Sequence, residues 1–152
     1  MTIRIETVEG YPDDELVENI CTILSDQPPY PIDLFEKQLK HQRRILGCYA
    51  YDGQGLAGYK IGYEPRPKYF ESWQGAVDLD HRRQGIAAKL TNIQHKWCEE
   101  NRYRIITTIT AASNNAMLIV NLKAGFMISG TLLDRGKNHQ VLLQKLIGED
   151  SA

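Results

Sequence analysis

Apolar and polar positions repeat along this chain with two different periods, and the switches between them mark out its elements. "TIRIETV" (2–8) alternates and reads as a strand. In "DDELVENICTILSD" (13–26), Leu16, Ile20 and Leu24 recur at helical spacing behind an acidic first turn, which suits a helix N-terminus. "QPPYPID" (27–33) stops that helix, because consecutive prolines cannot continue it. "DLFEKQLKHQRR" (33–44) predicts a second, shorter helix. "ILGCYAYDGQGLAGYKIGY" (45–63) is two alternating runs around Asp52-Gly53-Gln54-Gly55, a β-hairpin pattern. "YFESWQGAVDL" (69–79) predicts a further strand, and strict alternation puts Glu71, Trp73, Gly75 and Val77 on one face.

Ile86, Leu90, Ile93 and Trp97 then return to helical spacing through about Asn101. "RIITTIT" (104–110) is a β-branched strand. "NNAMLIVNLKAGF" (114–126) is a helix with Asn at its start and Gly125 at its end. "MISGTLL" (127–133) and "HQVLLQKLI" (139–147) form a closing hairpin. The order β-α-α-β-β-β-α-β-α-β-β predicts an α+β fold: a mixed, largely antiparallel seven-stranded sheet with helices on both faces. At 152 residues the expectation is a single domain over 1–152.

Composition narrows the function classes. A hydrophobic content of 42%, a charged content of 24% and a formal net charge of −1 are ordinary for a globular protein, with no field to recruit nucleic acid or an anionic membrane. Cys21, Cys48 and Cys98 are odd in number and widely spaced, which predicts free thiols and neither a disulfide framework nor a zinc site. No signal-peptide pattern opens the chain, and no apolar run approaches the ~20 residues needed to cross a bilayer. The expected setting is cytoplasmic.

The chemistry concentrates in "DHRRQGIAAKL" (80–90), a strand-to-helix turn. A helix N-terminus offers unpaired N–H groups and a partial positive charge of about half a unit. Gly85 and Ala87 leave that end bare, and Arg82 and Arg83 add charge, a combination that suits a phosphate or pyrophosphate. An unliganded charged turn is the plain alternative. No Gly-Lys-Ser/Thr follows, which excludes the Walker loop, and the dinucleotide fingerprint lacks its other glycines.

Arg82-x-x-Gly85-x-Ala87 resembles the Q/R-x-x-G-x-G/A motif of the GNAT N-acetyltransferase superfamily. "NNAMLIVNLKAGF" looks like that family's second signature, an Asn-opened helix ending in Gly-Phe, with Asn114 at the Asn position. The element order is similar over nearly the whole chain, and "YKIGYEPRPKYFESWQGAVDLDHRRQGIAAKL" (59–90) further resembles a bacterial subgroup of unassigned substrate. The resemblance implies an acyl-CoA N-acyltransferase fold and acetyl-CoA as co-substrate, with no metal. It implies that Arg82, Arg83, Gln84, Gly85, Ile86, Ala87 and Ala88 surround the pyrophosphate. Gly75, Ala76 and Val77 would be the strand edge that pairs with the pantetheine arm, splayed from "RIITTIT". Asn114 would contact the cofactor from the far side, and it is equally natural as a helix cap.

An amine acceptor with a pKa of about 10.4 is neutral only about once in a few thousand molecules at pH 7, so a base is needed. Glu71, where some family members carry a catalytic glutamate, is the candidate general base, against the plainer reading of an exposed strand glutamate near Lys68. Many members place a tyrosine seven residues after the Asn to protonate the departing thiolate; this chain has Asn121 there. Tyr63 or a water is a possible substitute. "SDQPPYPID" (25–33), with Tyr30, falls on the acceptor side, where Glu71, Trp73 and Tyr63 suit a cationic or aromatic amine.

The expected reaction is acetyl transfer to a primary amine, small-molecule or peptide, by direct attack in a ternary complex. A non-catalytic acyl-CoA sensor or partner-binding module is the alternative, motivated by Asn121, and a nucleotide-binding domain is a third. Cys98 sits too deep in its helix to be a nucleophile, and the four histidines carry no assigned role. The apolar "QVLLQKLI" (140–147) is the candidate surface for a possible homodimer.

Overall fold

The structure is a computed structural model that describes residues 2–23 and 29–148. Its strands are β1 (Ile3–Glu9), β2 (Arg43–Asp52), β3 (Gly55–Arg66), β4 (Tyr69–Val77), β5 (Ile105–Ala111), β6 (Met127–Leu133) and β7 (His139–Leu146). Its helices are α1 (Asp14–Thr22), α2 (Ile32–Leu39), α3 (Ile86–Glu100) and α4 (Asn115–Lys123), with one 3-10 turn at Leu79–His81. The strands make one seven-stranded sheet in the order β1-β2-β3-β4-β5-β7-β6. Five of the six pairings are antiparallel, and β4 with β5 is the parallel one.

Two apolar layers hold the helices on opposite faces. α3 and α4 cover one face through Ile86, Leu90, Cys98 and Leu118, with Phe126 just after α4, against Leu46, Phe70, Ile106 and Leu143. α1 and α2 cover the other through Val17, Ile20, Phe35 and Leu39 against Ile45, Tyr49, Tyr59 and Ile61. Asp13 caps α1 by accepting from Leu16 N at 2.9 Å, the side-chain capping that spares an orphan N–H.

The sequence expectations hold for element order and class, with two corrections. The second helix ends at Leu39 rather than reaching Arg44, because β2 starts at Arg43 and pairs with Glu64; the Lys-His-Gln-Arg-Arg run looked helical only because its charges carry no period of their own. β7, the strand that carries "QVLLQKLI", lies inside the sheet between β5 and β6 and pairs with both. β6 is the edge at that end of the sheet, with β1 at the other, and it carries the exposed Met127, Ile128, Leu132 and Leu133.

The second correction concerns β4. Gln74 pairs with Ile61 and Ser72 with Gly62, so Trp73 is an extra residue, a β-bulge that re-phases the strand. Trp73 and Ala76 pack on the α1–α2 side and Phe70 and Val77 on the α3–α4 side. Glu71, Trp73, Gly75 and Val77 therefore do not share a face. The predicted end of the first helix and the start of the proline segment, 24–28, lie outside the described residues.

Candidate active site

β4 and β5 part company soon after they meet. Their parallel ladder joins only Tyr69 to Ile105, Phe70 to Ile106 and Glu71 to Thr107. At the next position the Thr108 hydroxyl donates to Ser72 O at 2.9 Å, a side chain standing where a main-chain donor would continue the ladder. From Trp73 to Val77 the β5-facing edge of β4 pairs with no strand among the described residues. Such a row of open N–H and C=O groups takes an amide-rich partner as an added strand. Gly75, Ala76 and Val77 lie on this edge. Gly75 needs its small size: a Cβ there would stand 3.0 Å from Tyr59 O and 3.5 Å from Lys60 Cγ.

The free edge leads through the 3-10 turn to the start of α3. Gly85 caps that helix at φ +76°, a left-handed conformation that glycine adopts without strain. Lys89 N donates to Gly85 O at 3.1 Å, the first bond of the helix. The N–H groups of Ile86, Ala87 and Ala88 precede it and have no acceptor within the helix. A Cβ built on Gly85 would meet nothing within 4 Å, so the space before α3 is open to an incoming group. Arg82, Arg83, Gln84 and Gly85 are exposed around it. Open amides, a positive helix end and two arginines fit an anion such as a diphosphate.

His81 fixes this turn. Its Nδ1 lies 3.0 Å from Asp78 Oδ2 and its Nε2 3.0 Å from Asp52 Oδ2 at the tip of the β2–β3 hairpin. The hydrogen bonds to Asp52 and then Asp78 raise its pKa above the ordinary histidine value. Nothing in the sequence marked this histidine, since Asp52 lies in another hairpin. A histidine three residues after an aspartate was its one local signal.

α4 closes the far side of the cleft. Asn114 is its N-cap, accepting from Met117 N at 3.1 Å, so the cap reading holds in the geometry. Asn121, at the position where the resemblance expects tyrosine, is buried and donates through Nδ2 to Thr110 Oγ1 on β5 at 3.0 Å.

The opposite side of the sheet carries Glu71. It is half-buried rather than exposed, and its Oε2 accepts from the Thr107 hydroxyl at 2.6 Å. Glu71 opens onto a cavity of about 360 Å³ lined also by Arg66, Tyr69, Thr107, Ile109 and Leu142. Beside it Trp73 packs against Phe35, Tyr30 and Tyr63, with ring centroids 5.5, 6.3 and 6.4 Å away. Burial and then Glu71 raise the Tyr63 hydroxyl's pKa. Glu71, Tyr30, Tyr63 and Trp73 are thus brought together, and the phosphate-type cradle lies at the other end of the same strand. Cys98 is fully buried under α3, and burial pushes its thiol far above the ordinary range.

Lys60 and the α3 pair Gln94 and His95 were not legible as polar residues under a helix. The one signal is the Gly58-x-Lys60-x-Gly62 alternation, which leaves a lysine between two bare positions on one strand face.

Solved structures share this architecture at low identity. Ribosomal-protein-S18-alanine N-acetyltransferase from Escherichia coli superposes with a TM-score of 0.78 at 14% identity, covering 97% of this chain and 99% of that one. Ard1 from Thermoplasma volcanium gives 0.78 at 15%, covering 94% and 99%. A Bacillus subtilis acetyltransferase in complex with CoA gives 0.73 at 19%, covering 97% and 100%. These likenesses show the fold. No curated protein matches the sequence significantly. The model of the acetyltransferase (GNAT) family matches residues 14–126. With that match spanning the cleft, the cradle and both flanking helices, the chain belongs to the GNAT acetyltransferase family.

Proposed function

We propose that the chain is an N-acetyltransferase of one domain that moves an acetyl group from acetyl-CoA to a primary amine by direct attack in a ternary complex. The observation that carries this reading is the free edge of β4 between Glu71 and the open end of α3. It offers one continuous path from an anion cradle to a carboxylate.

Each end has its own work. The N–H groups of Ile86, Ala87 and Ala88, with Arg82 and Arg83, hold a diphosphate, and Gly75, Ala76 and Val77 hold an extended amide arm by strand addition. Bound coenzyme supplies an activated thioester. Open N–H groups on the edge near the Trp73 bulge are positioned to donate to a carbonyl oxygen as negative charge develops on it. Glu71 takes the proton from the incoming ammonium, directly or through one water, and Thr107 holds the carboxylate in place for this. The cavity between Arg66, Glu71 and Leu142, walled by Tyr69 and Ile109, suits a primary amine on a small molecule or peptide. The Escherichia coli neighbour, named for a protein alanine, is in keeping with a peptide acceptor.

A thermal-shift series with acetyl-CoA and longer acyl-CoAs, followed by mass spectrometry of candidate amines, tests the reading. Saturation at a hundredfold excess over Kd stabilises by about 2.7 kcal/mol, a plain signal. Release of thiol accelerated by an amine establishes transfer. The buried Asn121–Thr110 bond, which ties up the position expected to hold a proton donor, favours a second reading as an acyl-CoA sensor. Binding of acetyl-CoA with no amine-dependent thiol release would select it.

A further inference from the structure

Under α3 lies a set of polar side chains that the acceptor chemistry does not use. Lys60 on β3 is in register with Cys48 on one side and Gly75 on the other. Its stem runs beside that bare glycine, where a Cβ would stand 3.5 Å from Lys60 Cγ. Beyond Gly75 is the free edge of β4. Lys60 remains half-buried, although α3 packs over its strand.

Its surroundings are rich in donors. Lys145 Nζ on β7 donates to His95 Nδ1 at 3.0 Å, which leaves the imidazole neutral with its proton on Nε2. That Nε2 and both polar atoms of Gln94 are buried without a partner. Among the described residues no carboxylate pairs with Lys60 or Lys145. Lys60 is thus a half-buried amine with no counter-charge among the described residues, in register with Gly75 on the strand that carries the free edge.

We propose that Lys60 is a self-acylation site, taking the acyl group from the chain's own bound thioester when no amine occupies the cavity at Glu71. The inference rests on the donor reading above. The neutral Nζ attacks the thioester carbonyl carbon, the C–N bond forms and the C–S bond breaks. The thiolate leaves with the electron pair and takes up the proton that the nitrogen loses. The products are Nε-acyl-lysine and free coenzyme A, with no oxidant or further reactant. The second proton of the resting ammonium goes to solvent before attack.

Burial lowers the Lys60 pKa to about 8, against a smaller opposing effect of Cys48. Roughly one molecule in ten then carries the neutral amine at pH 7, compared with about one in a few thousand for a free lysine. The titratable groups facing it are Cys48 on β2, His95 on α3 and, through His95, Lys145 on β7. Burial pushes the Cys48 thiol up to about 12 and, with Lys145 and Lys60 itself, holds His95 down to about 3. Neither changes charge near neutral pH, so the rate follows Lys60.

The test is intact-mass measurement of the full chain incubated with acetyl-CoA and no amine, with peptide mapping and a parallel thermal-shift assay. One acetyl group is expected on Lys60, formed faster as pH rises through about 8. It should be suppressed by excess coenzyme A and absent in Lys60→Arg. Stabilisation by acetyl-CoA with Lys60 unmodified would overturn the inference and leave the donor reading standing. Acetylation spread over exposed lysines and indifferent to coenzyme A would overturn it as well. Absence of any binding would remove both. Should Lys60→Arg fail to fold, protection of Lys60 by coenzyme A in the unaltered chain decides the matter.

Discussion

The Thr107 hydroxyl donates to Glu71 Oε2 at 2.6 Å across the last rung joining β4 to β5. The carboxylate that faces the cavity at Arg66 and Leu142 is therefore held by the strand from which its own strand is about to separate. A group placed this way keeps its orientation whether or not the cleft beyond it is filled. That is what a proton acceptor needs when two partners bind in sequence.

Glu71→Gln keeps the size and the bond to Thr107 and removes the basicity. We expect amine-dependent thiol release to fall by about 10²–10⁴-fold, with the midpoint of acetyl-CoA stabilisation unchanged. Unaltered turnover would take Glu71 out of the mechanism. Thr107→Val should show a smaller loss in the same direction.

Gly85→Glu brings a side chain and a negative charge into the open space before α3, and places a non-glycine residue at φ +76°. The strain costs about 1 kcal/mol, so the domain should still fold. Stabilisation by coenzyme A should disappear. Retained affinity would show that the start of α3 is not the anion cradle.

Two histidines should give opposite pH signatures. The His81 pKa is raised by Asp52 and Asp78, so its contribution is fully present below about pH 6.5. That contribution is lost as pH rises through the raised value. His95 is held down to about 3 by burial and by Lys145 and Lys60. Its contribution is present above about pH 6.5 and is lost as pH falls toward that lower value. Denaturant titrations across pH should show His81→Gln weakening the protein mainly on the acid side of neutrality. His95→Gln should flatten the acid limb. Each slope in the reverse sense would contradict its assignment.

Asn121→Ala leaves the Thr110 hydroxyl on β5 without its donor. We expect a loss of about 1–3 kcal/mol in stability. Thiol release by the folded fraction should remain within a few-fold of the parent chain. A drop as large as that for Glu71→Gln would instead make Asn121 a participant in the reaction.

What could be read in the chain beforehand follows from locality. Helical and strand periods, the Asn114 cap and the glycine turn at Gly85 are properties of a few consecutive residues, and they stand in the structure as expected. The β4 face assignment failed because alternation is a count, and one added residue at Trp73 resets it without altering composition. Helix α2 ran too long on paper because Lys40–Arg44 has no apolar period to mark its stop. His81, Lys60 and His95 acquire their partners from strands and hairpins far along the chain, at Asp52, Gly75 and Lys145. No window of neighbouring residues contains that information.

The extra residue at Trp73 also restricts how this protein can vary. A substitution in β4 disturbs one side chain. Removing Trp73 would return β4 to plain alternation: Phe70 and Val77 stay on the α3–α4 side and Ala76 on the α1–α2 side, and what is lost is the kink in the free edge and the ring packed against Phe35. A deletion there should therefore cost about as much in packing as replacing Trp73 by a small residue, and its separate effect should fall on the shape of the free edge, which only the extra residue bends.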